Sequence, residues 1–146
     1  MFSHMGQSVR DVDASRRFYT EVFGFVEVLD LDVSGAHSAK LMRMPELVEL
    51  RAVYLRKDGF VLELLAFGDP TPLPPRPRSF LEPGLTHISI GVDDIDASCA
   101  LVVQHGGTVL EESRLPQAIF VADPDGQVVE LLAGHRFADR LHADAP

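Results

Sequence analysis

Two motifs occur twice in this chain, in the same order, and that duplication constrains its fold more than any other feature. Aligning His4 with His87 gives an offset of 83 (87 − 4). Val9 then falls on Val92, Asp11 on Asp94, Val12 on Ile95, Asp13 on Asp96, Ala14-Ser15 on Ala97-Ser98 and Gly24 on Gly107. Further on, Asp58-Gly59-Phe60-Val61-Leu62-Glu63-Leu64-Leu65-Ala66 falls on Asp125-Gly126-Gln127-Val128-Val129-Glu130-Leu131-Leu132-Ala133, at an offset of 67 (130 − 63). The change of offset, 83 − 67, leaves 16 extra residues in the first copy, between Gly24 and Asp58. One repeated motif is weak evidence; two in a conserved order mark two copies of one module.

Each copy reads as a strand, a helix and three strands, which makes the fold class α+β with two tandem βαβββ modules. In the first, a strand at Phe2 to Val9 leads to an N-cap at Asp11, a helix to about Phe23 and a stop at Gly24. Strands follow at 25–31, 49–56 and 60–67, the last two joined by a tight turn at Asp58-Gly59. In the second, a strand at Leu85 to Val92 precedes an Asp94-capped helix to about His105, which ends at Gly106-Gly107. Strands are expected near 108–111, 117–122 and 127–133, with a turn at Asp123-Pro124-Asp125-Gly126. Residues 68–84 carry six of the ten prolines and read as a linker between modules at 1–67 and 85–133; residues 134–146 read as a loose tail.

Strand side chains alternate between faces, and the alternation isolates four polar groups. Glu63 shares its face with Val61, Leu65 and Phe67; Glu130 shares its face with Val128 and Leu132. A carboxylate among apolar neighbours costs several kcal/mol unless it is paired or binds metal. No Arg or Lys shares either face. His4 lies beside Gly6 and Ser8, and His87 beside Ser89 and Gly91, small residues that leave room next to each imidazole. Modules related by a pseudo-twofold axis bring equivalent positions together. Two imidazoles and two carboxylates then balance a divalent cation and leave coordination positions open. His4, Glu63, His87 and Glu130 are therefore the candidate metal ligands. Ni, Zn, Co, Mn and Fe(II) all suit these mixed donors. His37, His105, His135 and His142 have no repeat partner, and Gln7, on the helix side of the first strand, has no evident role.

Composition narrows the partners. With 13 Lys+Arg against 22 Asp+Glu the formal net charge is −9, which disfavours nucleic acid and anionic membranes. The longest apolar run, 60–67, carries Glu63 and is too short to span a bilayer. The start of the chain has no apolar signal-peptide core, and the single cysteine, Cys99, permits no internal disulfide. A cytoplasmic location is the expectation, with Cys99 a buried structural thiol.

Three segments carry a family resemblance: His4-Met5-Gly6-Gln7-Ser8-Val9; Arg17 to Phe25, reading RFYTEVFGF; and Asp123 to Leu131, reading DPDGQVVEL. They resemble the glyoxalase, bleomycin-resistance and dioxygenase group, the vicinal oxygen chelate superfamily, over roughly residues 2–133. The resemblance implies two βαβββ modules forming a cupped, barrel-like mixed sheet around a metal, in a protein that is commonly a homodimer. It implies the glyoxalase I ligand set, complete at His4, Glu63, His87 and Glu130, with one of the two glutamates also serving as base. Ser8 and Phe67 stand where bacterial glyoxalase I places an Arg and an Asn against glutathione, so the chemistry is implied without those contacts. The expected function is a metal-dependent lyase or isomerase that moves a proton beside the carbonyl of a small substrate. The alternatives are an Fe(II) extradiol-type dioxygenase using His4, His87 and Glu130, and a non-catalytic antibiotic-binding protein. Leu65, Phe67 and Phe80 are the expected apolar substrate contacts.

Overall fold

The computed structural model describes residues 2–44, 48–68, 72–74, 76, 79–134 and 136–142. The chain divides into two compact units, Met1–Pro75 and Arg76–Pro146. The first contains β1 (Met5–Val9), α1 (Val12–Phe23), β2 (Val26–Asp32), α2 (Ala36–Leu41), β3 (Leu50–Lys57) and β4 (Phe60–Phe67). The second contains β5 (Ile88–Val92), α3 (Ile95–Gln104), β6 (Thr108–Leu115), β7 (Ala118–Ala122), β8 (Val128–Ala133) and α4 (Arg136–His142). The strand orders are β1-β4-β3-β2 and β5-β8-β7-β6, the same order for repeat-equivalent strands. In each unit the first strand runs parallel to the last and the other neighbours are antiparallel, so both sheets are mixed. The α+β class and the repeated βαβββ unit are thus both present.

Local chemistry explains the first unit's helix. Asp11 accepts hydrogen bonds from the backbone N–H groups of Asp13 and Ala14 at 3.0 and 2.9 Å, satisfying two of the orphan donors of the first turn. The helix ends in the left-handed conformation at Gly24 (φ 69°). Val12, Ser15, Phe18, Tyr19, Val22 and Phe23 are buried, the stripe expected of a helix lying on a sheet. It packs on β3 and β4, where Val53, Leu55, Leu62 and Leu64 are fully buried. Tyr19 is also fully buried, and its hydroxyl donates to Gln7 Oε1 at 3.1 Å. Gln7 thereby acquires its role: it satisfies a buried phenol that would otherwise be costly.

The second unit repeats the plan with smaller side chains. Asp94 accepts from the Ala97 N–H at 2.9 Å, and α3 buries Cys99 and Val102 over Ile119, Val121, Val129 and Leu131. Burial pushes the Cys99 thiol up, as suits an inert core thiol. The turn before β8 is organised by Asp123, 3% exposed, whose Oδ1 accepts from the N–H groups of Asp125 and Gln127 at 2.9 and 2.8 Å. Asp123→Ala leaves both donors without that acceptor. A loss of about 1–3 kcal/mol is expected, read as a drop of several degrees in the thermal midpoint.

Two features differ from the expectation. The 16 extra residues of the first copy include a helix, α2, with its own small cluster of Ala39, Val48 and Leu50. The expected tail carries α4, with Phe137 and Leu141 at helical i, i+4 spacing. Residues 69–71, 75, 77 and 78 of the proline-rich linker, together with His135, lie outside the described residues. No described helix is long and apolar enough to cross a membrane.

Candidate metal centre

His4 and His87 each stand one residue before the strand that opens their unit, on the face opposite its helix. The parallel pairing of β1 with β4 sets Gly6 opposite Glu63, and that of β5 with β8 sets Ser89 opposite Glu130. Histidine and glutamate are thus brought together separately in each unit. His4 Nε2 lies 3.3 Å from Glu63 Oε2, and His87 Nε2 lies 3.5 Å from Glu130 Oε2. Among the described residues, no three His, Cys, Asp or Glu side chains converge as a metal-binding group, so each unit displays one His/Glu pair.

The surroundings of the two pairs match in a way the motifs alone did not reveal. The residue before each histidine bears a hydroxyl that meets ring Nδ1: Ser3 Oγ at 3.0 Å and Thr86 Oγ1 at 2.9 Å. In the tautomer that places hydrogen on Nδ1, this contact leaves the Nε2 lone pair facing the carboxylate. Each imidazole also meets an aromatic ring edge-on. His4 and Tyr54 centroids are 5.5 Å apart at 89°, and His87 and Phe120 centroids 5.3 Å apart at 66°. Tyr54 is the strand partner of Glu63 and Phe120 that of Glu130.

The carboxylates are held differently. Glu63 is contacted on both oxygens: Tyr54 donates its hydroxyl hydrogen to Oε1, while Oε2 faces His4. That bond, with burial and the carboxylate's charge adding, pushes the Tyr54 hydroxyl up to about 12. Glu130 takes the Ser89 hydroxyl at 2.7 Å on Oε2, the oxygen that also faces His87. Its side chain is 25% exposed against 11% for Glu63.

The donors fit a metal. Two ligand atoms bound at ~2.1 Å in tetrahedral geometry stand roughly 3.4 Å apart, and the His–Glu separations are 3.3 and 3.5 Å. Each pair offers one nitrogen and one carboxylate oxygen already at that spacing, with a hydroxyl at the far side of each ring.

The expected apolar contacts divide. Leu65 and Phe67 pack against the Ala39, Val48 and Leu50 cluster associated with α2, so both are engaged in the core of the first unit. Phe67 also borders a cavity of about 590 Å³ whose lining mixes charged Arg10, Asp30, Asp32 and Arg51 with apolar Val12 and Leu50. Arg51 pairs there with Asp30 at 2.6 Å and Asp13 at 3.4 Å, an ion-pair cluster tying β2 and β3 to α1. Phe80 stays near the site: its ring lies 6.1 Å from His87 and 5.2 Å from Phe120, half exposed.

Comparison with known proteins bears on the family and the fold. A probable lactoylglutathione lyase of Vibrio parahaemolyticus is 31% identical over 134 residues, covering 88% of this chain and 87% of that protein. The trypanothione-dependent glyoxalase I of Leishmania major superposes with a TM-score of 0.66 at 26% identity, over 97% of this chain and 91% of that one. The fosfomycin resistance protein FosX of Listeria monocytogenes, solved with Mn(II) and sulfate, shares the fold with a TM-score of 0.60 at 18% identity, over 97% of each chain. The sequence profile of the Glyoxalase/Bleomycin resistance protein/Dioxygenase superfamily matches residues 1–131. That match runs through both modules, from the segment bearing His4 to the strand bearing Glu130, and the chain belongs to this superfamily.

Proposed function

We propose that this protein is a glyoxalase-like, metal-dependent lyase or isomerase that moves a proton beside the carbonyl of a small substrate. The observation that carries the proposal is the twice-repeated pairing of a histidine Nε2 with a glutamate Oε2 at 3.3 and 3.5 Å. His4, Glu63, His87 and Glu130 would hold one divalent ion, Ni, Zn, Co, Mn or Fe(II), within one chain or across a homodimer. When bound, such an ion supplies Lewis-acid stabilisation of the negative charge that develops on a substrate oxygen.

The protein's own groups divide the remaining work. Ser3 and Thr86 can each accept the Nδ1 hydrogen, and in that tautomer Nε2 is kept available. Glu63, less exposed and held at Oε1 with Oε2 turned to His4, is suited to remain a ligand. Glu130, more exposed and contacted on one oxygen, is suited to take a proton from carbon. Phe80 and Phe120 present an apolar surface beside His87 for the substrate's non-reacting part. Relatives named lactoylglutathione lyase support this reaction type. Ser8 and Phe67 offer no charged or amide contact to glutathione, so a different thiol or a thiol-free carbonyl compound is the expected substrate.

Reconstitution of stripped protein should restore about one divalent ion per chain, measured by elemental analysis. With a glutathione hemithioacetal and a panel of thiol-free carbonyl compounds, solvent deuterium should then enter the carbon beside a carbonyl. Protein that retains no ion, or that consumes oxygen and cleaves rings without such exchange, would refute this reading. The second outcome would favour a dioxygenase.

A further inference from the structure

Each carboxylate of the proposed centre accepts one hydroxyl hydrogen bond, and the hydroxyl comes from a different strand in each unit. Glu63 takes it from Tyr54 on β3, and Glu130 takes it from Ser89 on β5. The structurally equivalent positions are Phe120 on β7 and Gly6 on β1. Each unit therefore lacks the donor that the other uses.

In the first unit the exchange is matched to the space available. A Cβ built on Gly6 would stand 3.2 Å from Glu63 Oε2, closer than ordinary contact. Glu63 thus leans over the floor that a glycine leaves open, and its hydroxyl donor comes from the neighbouring strand on the other side. In the second unit that floor is Ser89, which supplies the donor itself, and the ring on β7 has no hydrogen to give. The aromatic contact with histidine persists in both units, at 5.5 and 5.3 Å. The ring's packing against histidine and the hydroxyl's grip on the carboxylate are therefore separable roles, and only the second has changed strands.

We propose, resting on the metal reading above, that Tyr54 is a positioning residue: from β3 it fixes Glu63 as a metal ligand by holding Oε1 while Oε2 faces His4 Nε2, whereas Ser89, from β5, holds Glu130 through Oε2, the oxygen that itself faces His87. A hydroxyl bound to one oxygen restricts rotation of the carboxylate about its last torsion, which is otherwise broad. The lone pairs of Oε2 then stay beside Nε2 before any ion arrives, and less ordering remains for the ion to impose.

The test measures Mn(II) affinity of the full, metal-stripped chain, from the electron paramagnetic resonance signal of free Mn(II), alongside the thermal midpoint without metal. Tyr54→Phe keeps the ring and its contact with His4. It should weaken Mn(II) binding about 10- to 100-fold with a metal-free midpoint close to wild type. Adding Gly6→Ser to Tyr54→Phe moves the hydroxyl to the strand the second unit uses and should recover most of the affinity. The mirror exchange adds no Cβ: Ser89→Gly should weaken binding and Ser89→Gly with Phe120→Tyr should restore it. Wild-type affinity in Tyr54→Phe overturns the inference alone. So does a loss that tracks a lowered midpoint, or a loss that neither double variant repairs. A wild-type chain that binds no Mn(II), Ni(II), Zn(II), Co(II) or Fe(II) overturns the metal reading and this inference together.

Discussion

Replacing His87 by alanine is expected to remove the metal and turnover in one step, and His4→Ala is expected to do the same. Either change deletes one of two neutral donors and leaves two carboxylates facing a cation with a single imidazole. The histidine side chains are 39% and 30% exposed, so the fold should tolerate their loss. The metal-free thermal midpoint of each variant should therefore match wild type. Metal content should fall from about one ion per chain to near zero after desalting. A His→Ala variant that keeps its metal while losing turnover would remove that histidine from the ligand set. Mixing the two variants also locates the site. If each centre takes one pair from each of two chains, a heterodimer of His4→Ala and His87→Ala contains one intact centre and one empty one. Mixing and refolding should then restore up to roughly half the activity of the heterodimer fraction. If each centre lies within one chain, mixing restores none.

The sequence carried the fold because duplication supplies an internal control. Asp11 and Asp94 cap equivalent helices, and both sheets repeat one strand order. The four candidate residues were picked out for the same reason, whereas their close pairing within each unit is a finding of the structure. What stayed hidden was anything that breaks the repeat. The hairpin before Glu63 turns through residues 58–59, whereas the one before Glu130 turns through residues 123–127. Tyr54 accordingly corresponds in position to Phe120 at an offset of 66 (120 − 54) and not the 67 of the glutamates, so a rigid alignment sets it on Val121. Ser3 and Thr86 do align at 83 (86 − 3), and comparing residues next to each histidine would have found them. Helix α2 sits in the unduplicated segment, where no second copy guides the reading, and its cluster draws Leu65 and Phe67 into packing. Gln7 could not be interpreted from alternation alone, because its partner is the phenol of Tyr19, twelve residues away on α1.

The two glutamates, equivalent by sequence, should diverge when each is changed to glutamine. Glu→Gln keeps the side chain's shape and one oxygen acceptor but removes the charge and the ability to take a proton. At Glu130 the amide oxygen can still accept from Ser89 and still offer a lone pair, so much of the metal should remain. Turnover should nevertheless fall by about 10² to 10⁴, the usual worth of a positioned base. At Glu63 the larger effect should be on metal affinity, because this carboxylate is the less exposed one and is held at Oε1 with Oε2 turned to His4. Its proton-accepting role is restricted by the same grip: Oε1 is occupied by the Tyr54 hydroxyl and Oε2 is turned to His4. The comparison uses metal-loaded variants and reads two rates on one substrate, product formation and solvent deuterium entry beside the carbonyl. In Glu130→Gln both should fall together, since both need the same base. In Glu63→Gln the exchange rate per bound metal should stay near wild type while the fraction of loaded protein drops. If instead Glu63→Gln holds its metal and stops exchange while Glu130→Gln sheds its metal, the roles are reversed. The asymmetry around the carboxylates would then have to act on the reaction in the opposite sense, with the Tyr54 hydroxyl serving a base and the Ser89 hydroxyl a ligand.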